Sequence, residues 1–133
     1  MKKVASGISK NEVEWIVRAA FKSARRKRKN VTVLFTSDAE VRRLNREFRR
    51  KNTTTDVLSF ASDESGYAGE IIISVAEARR KARKQRIGFR DELRLLLIHG
   101  TLHHLGYDHE TIGQERRMFG LQARIIAKVG KKK

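Results

Sequence analysis

A chain of 133 residues has the size of one domain and can bury one core of ordinary proportions, so it is read as a single domain over residues 1–133. It contains no cysteine, which excludes a disulfide framework and a thiolate metal site and leaves nitrogen and oxygen as the only ligands for any metal. An excess of 31 Lys+Arg over 15 Asp+Glu gives a formal net charge of +16 and a pI of about 11.0, a field that favours a nucleic acid or the ribosome as partner, because each neutralised phosphate releases counterions.

The opening MKKVASGISK lacks the apolar run of a signal peptide, and no later segment approaches the ~20 apolar residues of a membrane span, so a soluble cytoplasmic protein is expected. Ser9 and Glu12 have capping-box spacing, and Val13, Ile16, Val17, Ala20, Phe21 and Ala24 recur at helical intervals, predicting a helix from Asn11 to Arg28. VTVLF, Val31 to Phe35, reads as a strand. Ser37 and Glu40 open a second helix whose apolar stripe is Val41, Leu44 and Phe48, ending near Arg50.

TTTDVLSF, Thr53 to Phe60, has the β propensity of a second strand, and the polar SDESGYAG turns it into a hairpin with Glu70 to Ser74. Ser74 and Glu77 open a third helix that Gly88 is expected to stop. From Asp91 the run LRLLLIHGTLHHL is too apolar for a surface helix and is expected to be largely buried, with Gly106 ending it. Thr111 and Gln114 cap a last helix carrying Met118, Leu121, Ile125 and Ile126, and the basic GKKK tail is expected to fray. The order αβαββααα predicts an α+β fold, a small mixed sheet of three to four strands packed with about five helices.

All four histidines fall between His99 and His109. His99 and His103 are one helical turn apart and can present two imidazoles to one point; Gly106 can take the left-handed conformation that lets the chain reverse and bring His109 back. Three imidazoles with a position left for water form the ligand set of a catalytic zinc, whereas a structural zinc takes four protein ligands. His104 points about 100° away from His103 and is read as a packing or surface residue. The spacing is also that of metzincin proteases, but the residue after the first histidine, their general-base glutamate, is Gly100 here. Asp108 and Glu110 flank His109 and could move protons or orient a ligand imidazole.

HGTLHHLGYDH resembles the H-G-x-L-H-x-x-G-Y-D-H signature of the YbeY family of ribosomal RNA maturation factors, zinc-dependent single-strand endoribonucleases. LNREFRRKNTTTDVLSF and GEIIIS are similar to two further blocks of that family, so the likeness runs from Val31 to His109. Thr54 and Ala61 stand where the family usually has proline, and Glu70 where it usually has aspartate. The resemblance implies a YbeY-like metal hydrolase fold, one zinc ion on His99, His103 and His109, and a functional arginine at Arg49. It also sets Asp56 and Ser59 near the cleft, as scaffold rather than catalysts.

The resemblance, with which the basic charge agrees, implies an endoribonuclease of ribosomal RNA processing and ribosome quality control. Its substrate would be single-stranded RNA, in particular the 3′ end of small-subunit ribosomal RNA, with the small ribosomal subunit as partner. Catalysis is expected from Arg49, whose planar fork suits a phosphate, and Asp108. Arg46, Arg50, Arg79, Arg80 and Arg83 are candidate RNA contacts, from a basic helix and from the run RRKARKQR. Singly, such runs are solvated helix faces. The aromatics offer no stacking pattern, most phenylalanines falling on core positions, with Phe89 and Tyr107 the exceptions and Tyr107 near enough to the metal to touch substrate. The alternative is a ribosome-assembly factor whose zinc is mainly structural; a protease is disfavoured by Gly100.

Overall fold

The computed structural model describes residues 5–130, so residues 131–133 of the basic tail lie outside the described residues. Eight elements follow in the expected order: α1 (Lys10–Ser23), β1 (Asn30–Thr36), α2 (Asp38–Arg49), β2 (Val57–Ala61), β3 (Tyr67–Ser74), α3 (Val75–Gln85), α4 (Phe89–His104) and α5 (Ile112–Val129). The sheet has three strands in the order β1-β3-β2, with β1 parallel and β2 antiparallel to β3. An α+β fold with five helices on a small mixed sheet is therefore what the sequence folds into.

Alternation along β3 divides the core. Ile72 faces α2, where it packs with Val41, Leu44 and Leu58. Ile71 and Ile73 face the other way into the larger cluster, among Leu93, Leu97, Ile98 and Leu102 of α4 and Ile16 and Phe21 of α1. The helix that carries His99 and His103 is thus clamped between the sheet and the helices α1, α3 and α5, which fixes its rotation about its own axis.

The caps are less symmetrical than their spacing suggests. Ser9, Ser37 and Ser74 each accept from the backbone N–H three residues on, at 3.0, 3.3 and 3.1 Å. Their partner glutamates turn to arginines instead: Glu12 to Arg90 and Arg94, Glu40 to Arg43, Glu77 to Arg80. Among the described residues, Thr111 and Gln114 alone close a reciprocal capping box.

Several boundaries depart from the sequence reading. The first helix stops at Ser23, not Arg28, because Arg25 takes a left-handed conformation (φ 56°) and the N–H of Arg26 bonds the Phe21 carbonyl at 3.0 Å. β2 begins at Val57 because Thr53 and Asp56 give their carbonyls to Asn45 Nδ2 (3.0 Å) and the Ser74 N–H (2.9 Å). Gly88 does not stop α3: Arg86, at φ 58°, ends it, and Gly88 is the extended N-cap of α4. Phe48 is not core but 61% exposed, because its ring sits at the end of α2 and meets the sheet at its edge strand, edge-on to Phe60 with centroids 5.7 Å apart.

A candidate metal centre beside an open groove

In α4, His99 and His103 stand one turn apart with ring centroids 4.6 Å apart and their Nε2 atoms 3.0 Å apart. Past His104 the helix ends on Gly106 at φ 92°, where the Tyr107 N–H returns to the Leu102 carbonyl at 3.1 Å. The reversed chain brings the His109 ring to 5.8 Å from that of His99 and 5.7 Å from that of His103. One nitrogen of each imidazole then lies within 4.8 Å of the others, and the three could hold a metal ion.

Electrostatics agree with ligation. Burial pushes the pKa of His99 down, outweighing the opposing hydrogen bond to Gln122, and the neighbouring His109 acts in the same direction as burial. Burial also lowers His103, helped by the neighbouring His99 and His109. Both imidazoles are therefore neutral near pH 7, the state that offers a lone pair. Gln122 of α5 places its Oε1 2.7 Å from His99 Nδ1, which makes Nδ1 the donor and leaves Nε2 to face the other histidines. Sequence reasoning passed over Gln122; its one signal is a polar residue inside the apolar stripe of Met118, Leu121 and Ile125, where it is buried.

Gly100 has a structural reason. A Cβ there would meet Ile71 Cγ2 at 3.0 Å and Cδ1 at 3.2 Å, so this position faces the sheet and has no room for a carboxylate. His104, the histidine read as a non-ligand, anchors α4 to the sheet through the Glu70 carbonyl, 2.9 Å from its Nε2.

A groove of about 440 Å³ runs along the free edge of β2, lined by His99, His103, Asp56, Ser59 and Arg49. Arg49, the last residue of α2, reaches over that edge: its Nη2 donates to the Ser59 carbonyl at 2.7 Å, and its guanidinium carbon lies 5.4 Å from the centre of the Phe60 ring. The remaining donors of its fork are available to an anion in the groove. Asp56 is tied to Lys81 at 2.7 Å and also lines a second hollow of about 570 Å³, whose other walls include Arg80 and Lys84 of α3.

The other candidates are distributed unevenly. Arg46 and Arg50 are exposed at the end of α2, near Arg49. Arg79 lies over the Phe89 ring at 4.1 Å, Arg80 is held by Asp38 and Glu77, and Arg83 is exposed on α3. Asp108 accepts the His109 N–H at 2.7 Å and, like Tyr107, lines a different depression, shared with Arg26 and Arg117.

Comparison with known proteins follows the same pattern. The family model described as Endoribonuclease YbeY matches residues 2–130. The Endoribonuclease YbeY of Geobacillus thermodenitrificans is 41% identical over 113 residues, covering 75% of this chain and 72% of the relative. That of Solibacter usitatus is 47% identical over 97 residues, covering 73% of this chain and 64% of the relative. Among solved structures, the solution structure of TM1509 from Thermotoga maritima is similar with a TM-score of 0.69 and 29% identity, covering 96% of this chain and 85% of that one.

Proposed function

This chain belongs to the YbeY family of endoribonucleases, and from that premise we propose that it is a zinc-dependent, single-strand-specific endoribonuclease of ribosomal RNA processing. The observation that carries the reading is one groove with two kinds of wall: neutral imidazoles converging on one side, and an arginine fork with spare donors on the other.

The donor set fits the ion. A tetrahedral zinc with bonds of about 2.0–2.1 Å keeps neighbouring nitrogens roughly 3.3 Å apart. The Nε2 atoms of His99 and His103 stand 3.0 Å apart, and a nitrogen of His109 lies within 4.8 Å of both residues' ligand atoms. When bound, zinc supplies Lewis acidity towards a phosphoryl oxygen and lowers the pKa of water towards neutrality. Arg49 binds and orients the phosphate, Gln122 fixes the His99 tautomer, and Asp108 holds the turn that presents His109.

Among the described residues the cluster has three members, whereas a purely structural zinc calls for four. This supports the enzyme over an assembly factor with a structural ion. The partners would be the 3′ end of small-subunit ribosomal RNA and the small ribosomal subunit, met in the cytoplasm during maturation and quality control. Arg46, Arg50 and Arg83 would track the RNA backbone, with Arg79 and Arg80 adding to the field from their seats on Phe89 and the carboxylates.

Cleavage of a defined single-stranded RNA by wild type, His103→Ala and Arg49→Ala, with bound metal measured in each, tests the assignment. His103→Ala is expected to lose metal and cleavage together. Arg49→Ala is expected to keep the metal and lose cleavage by about a hundredfold or more. Cleavage by rigorously metal-free His103→Ala would end the metal reading.

A further inference from the structure

α5 turns one stripe towards the metal centre. Its orientation is set by Gln122, which is buried against His99. Three residues earlier on the same side is Phe119, and one turn and three residues before that is Ile112. Met118, Leu121, Ile125 and Val129 of the helix are buried, but Phe119 is 44% exposed and Ile112 74%. The Phe119 ring lies within 23° of parallel to the His109 ring, with centroids 6.4 Å apart. One ring of the histidine trio thus abuts an aromatic ring that is partly open to solvent.

A single exposed apolar side chain is ordinary. What distinguishes this one is its place. It is fixed on a packed helix, beside the imidazoles where a phosphate would be attacked, and Arg116, three residues before it on that side, is also exposed. A flat π-face beside a ring of the histidine trio, with an exposed arginine one turn away on the same helix, is a surface on which an unpaired base can stack, since every base has such a face. A base inside a duplex has both faces occupied already.

We propose that Phe119 is a stacking platform for the nucleobase next to the phosphate held at His99, His103 and His109. It positions the strand and favours unpaired RNA. The inference rests on the ribonuclease reading of the centre, so the test separates the two.

The experiment measures binding of the zinc-loaded protein to a short single-stranded RNA, 2′-O-methylated to prevent cleavage, with each base in turn replaced by an abasic residue. Phe119→Ala is expected to weaken binding of the intact RNA by about tenfold. Phe119→Trp is expected to retain it, and Phe119→Leu, which keeps apolar bulk without a π-face, to resemble the alanine variant. In wild type one abasic position should reproduce the loss, and on that RNA the alanine variant should lose nothing more. Unchanged zinc content shows that each variant keeps its centre.

Wild-type affinity in Phe119→Ala or Phe119→Leu would overturn the platform, as would a loss that is the same for the intact RNA and for each abasic RNA. If either came with normal RNA cleavage by wild type, the ribonuclease reading would stand and the platform alone would fall. If wild type neither bound nor cut RNA, both would fall.

Discussion

A methyl group at position 100 has nowhere to go, because Ile71 lies in its path and is itself fully buried. Alanine is the better helix former by about 1 kcal/mol, but overpacking a filled core costs about 1–3 kcal/mol. Gly100→Ala is therefore expected to lower the urea midpoint, a net loss of up to about 2 kcal/mol, without removing any ligand. Gln122→Leu tests the opposite kind of residue, one that shapes the site from another helix. It should fold as wild type, yet bind metal about 10–100-fold more weakly in a competition titration, since His99 loses the acceptor that fixes its tautomer. These two positions also show what the sequence could reveal. His99, His103, Gly106 and His109 lie within eleven residues, so helical spacing and one turn suffice to bring them together. Gln122 reaches His99 only through the packing of α5 on α4, and the clash at position 100 depends on a strand some thirty residues earlier. Neither relation is written in local spacing.

Element boundaries follow the same division. Capping serines were legible because Ser9, Ser37 and Ser74 bond backbone three residues away. The ends of α1 and α3 were not, unlike that of α4 at Gly106, because this chain also closes helices on arginine where glycine is the usual residue: Arg25, Arg50 and Arg86 all have φ between 56° and 58°. A left-handed conformation costs a residue with a Cβ about 1–2 kcal/mol relative to its ordinary basin. Arg86→Gly removes that strain, against a larger loss of backbone entropy on folding, and is expected to stabilise the protein by up to about 1 kcal/mol. Thermal unfolding in moderate salt checks it, since removing one charge from a basic chain also helps slightly. A lower melting temperature in the variant would mean that Arg86 makes a contact worth more than the strain. The same substitution at Arg50 should also stabilise the fold, but there it removes a candidate RNA contact, so stability and RNA affinity are expected to move in opposite directions.

At the scale of the whole molecule, pH acts through groups that burial has displaced in opposite senses. His99 and His103 have lowered pKa values in the folded chain. Unfolded, they take up protons at about pH 6.5. Above that pH both states hold neutral imidazoles and the folding free energy is level; as pH falls below it, the unfolded chain binds protons that the folded chain refuses, so stability declines until the lowered values are passed. Glu92 works the other way. Its carboxyl is 1% exposed, has Oε1 without a hydrogen-bond partner, and is raised above 4.5 by burial, against the field of Lys81. It therefore contributes stability at low pH that is lost as pH rises through its raised value. Glu12, held low against burial by Arg90 and Arg94, and Asp38, held low against burial by the Ser74 hydroxyl and Arg80, weaken the fold only once pH drops below about 4.5, outside the histidine window. Urea midpoints of the metal-free protein, taken from about pH 8 down to about pH 5.5, should thus show a decline below about 6.5 that is absent from a His99→Gln, His103→Gln double variant. The difference between the two curves removes the Glu92 contribution, which both share. With zinc bound the decline should steepen, because protons then compete with the metal for the same lone pairs. A wild-type curve that runs parallel to the variant's through this window would mean that the imidazoles are charged in the folded chain, and the argument for a preformed metal centre would lose its electrostatic half.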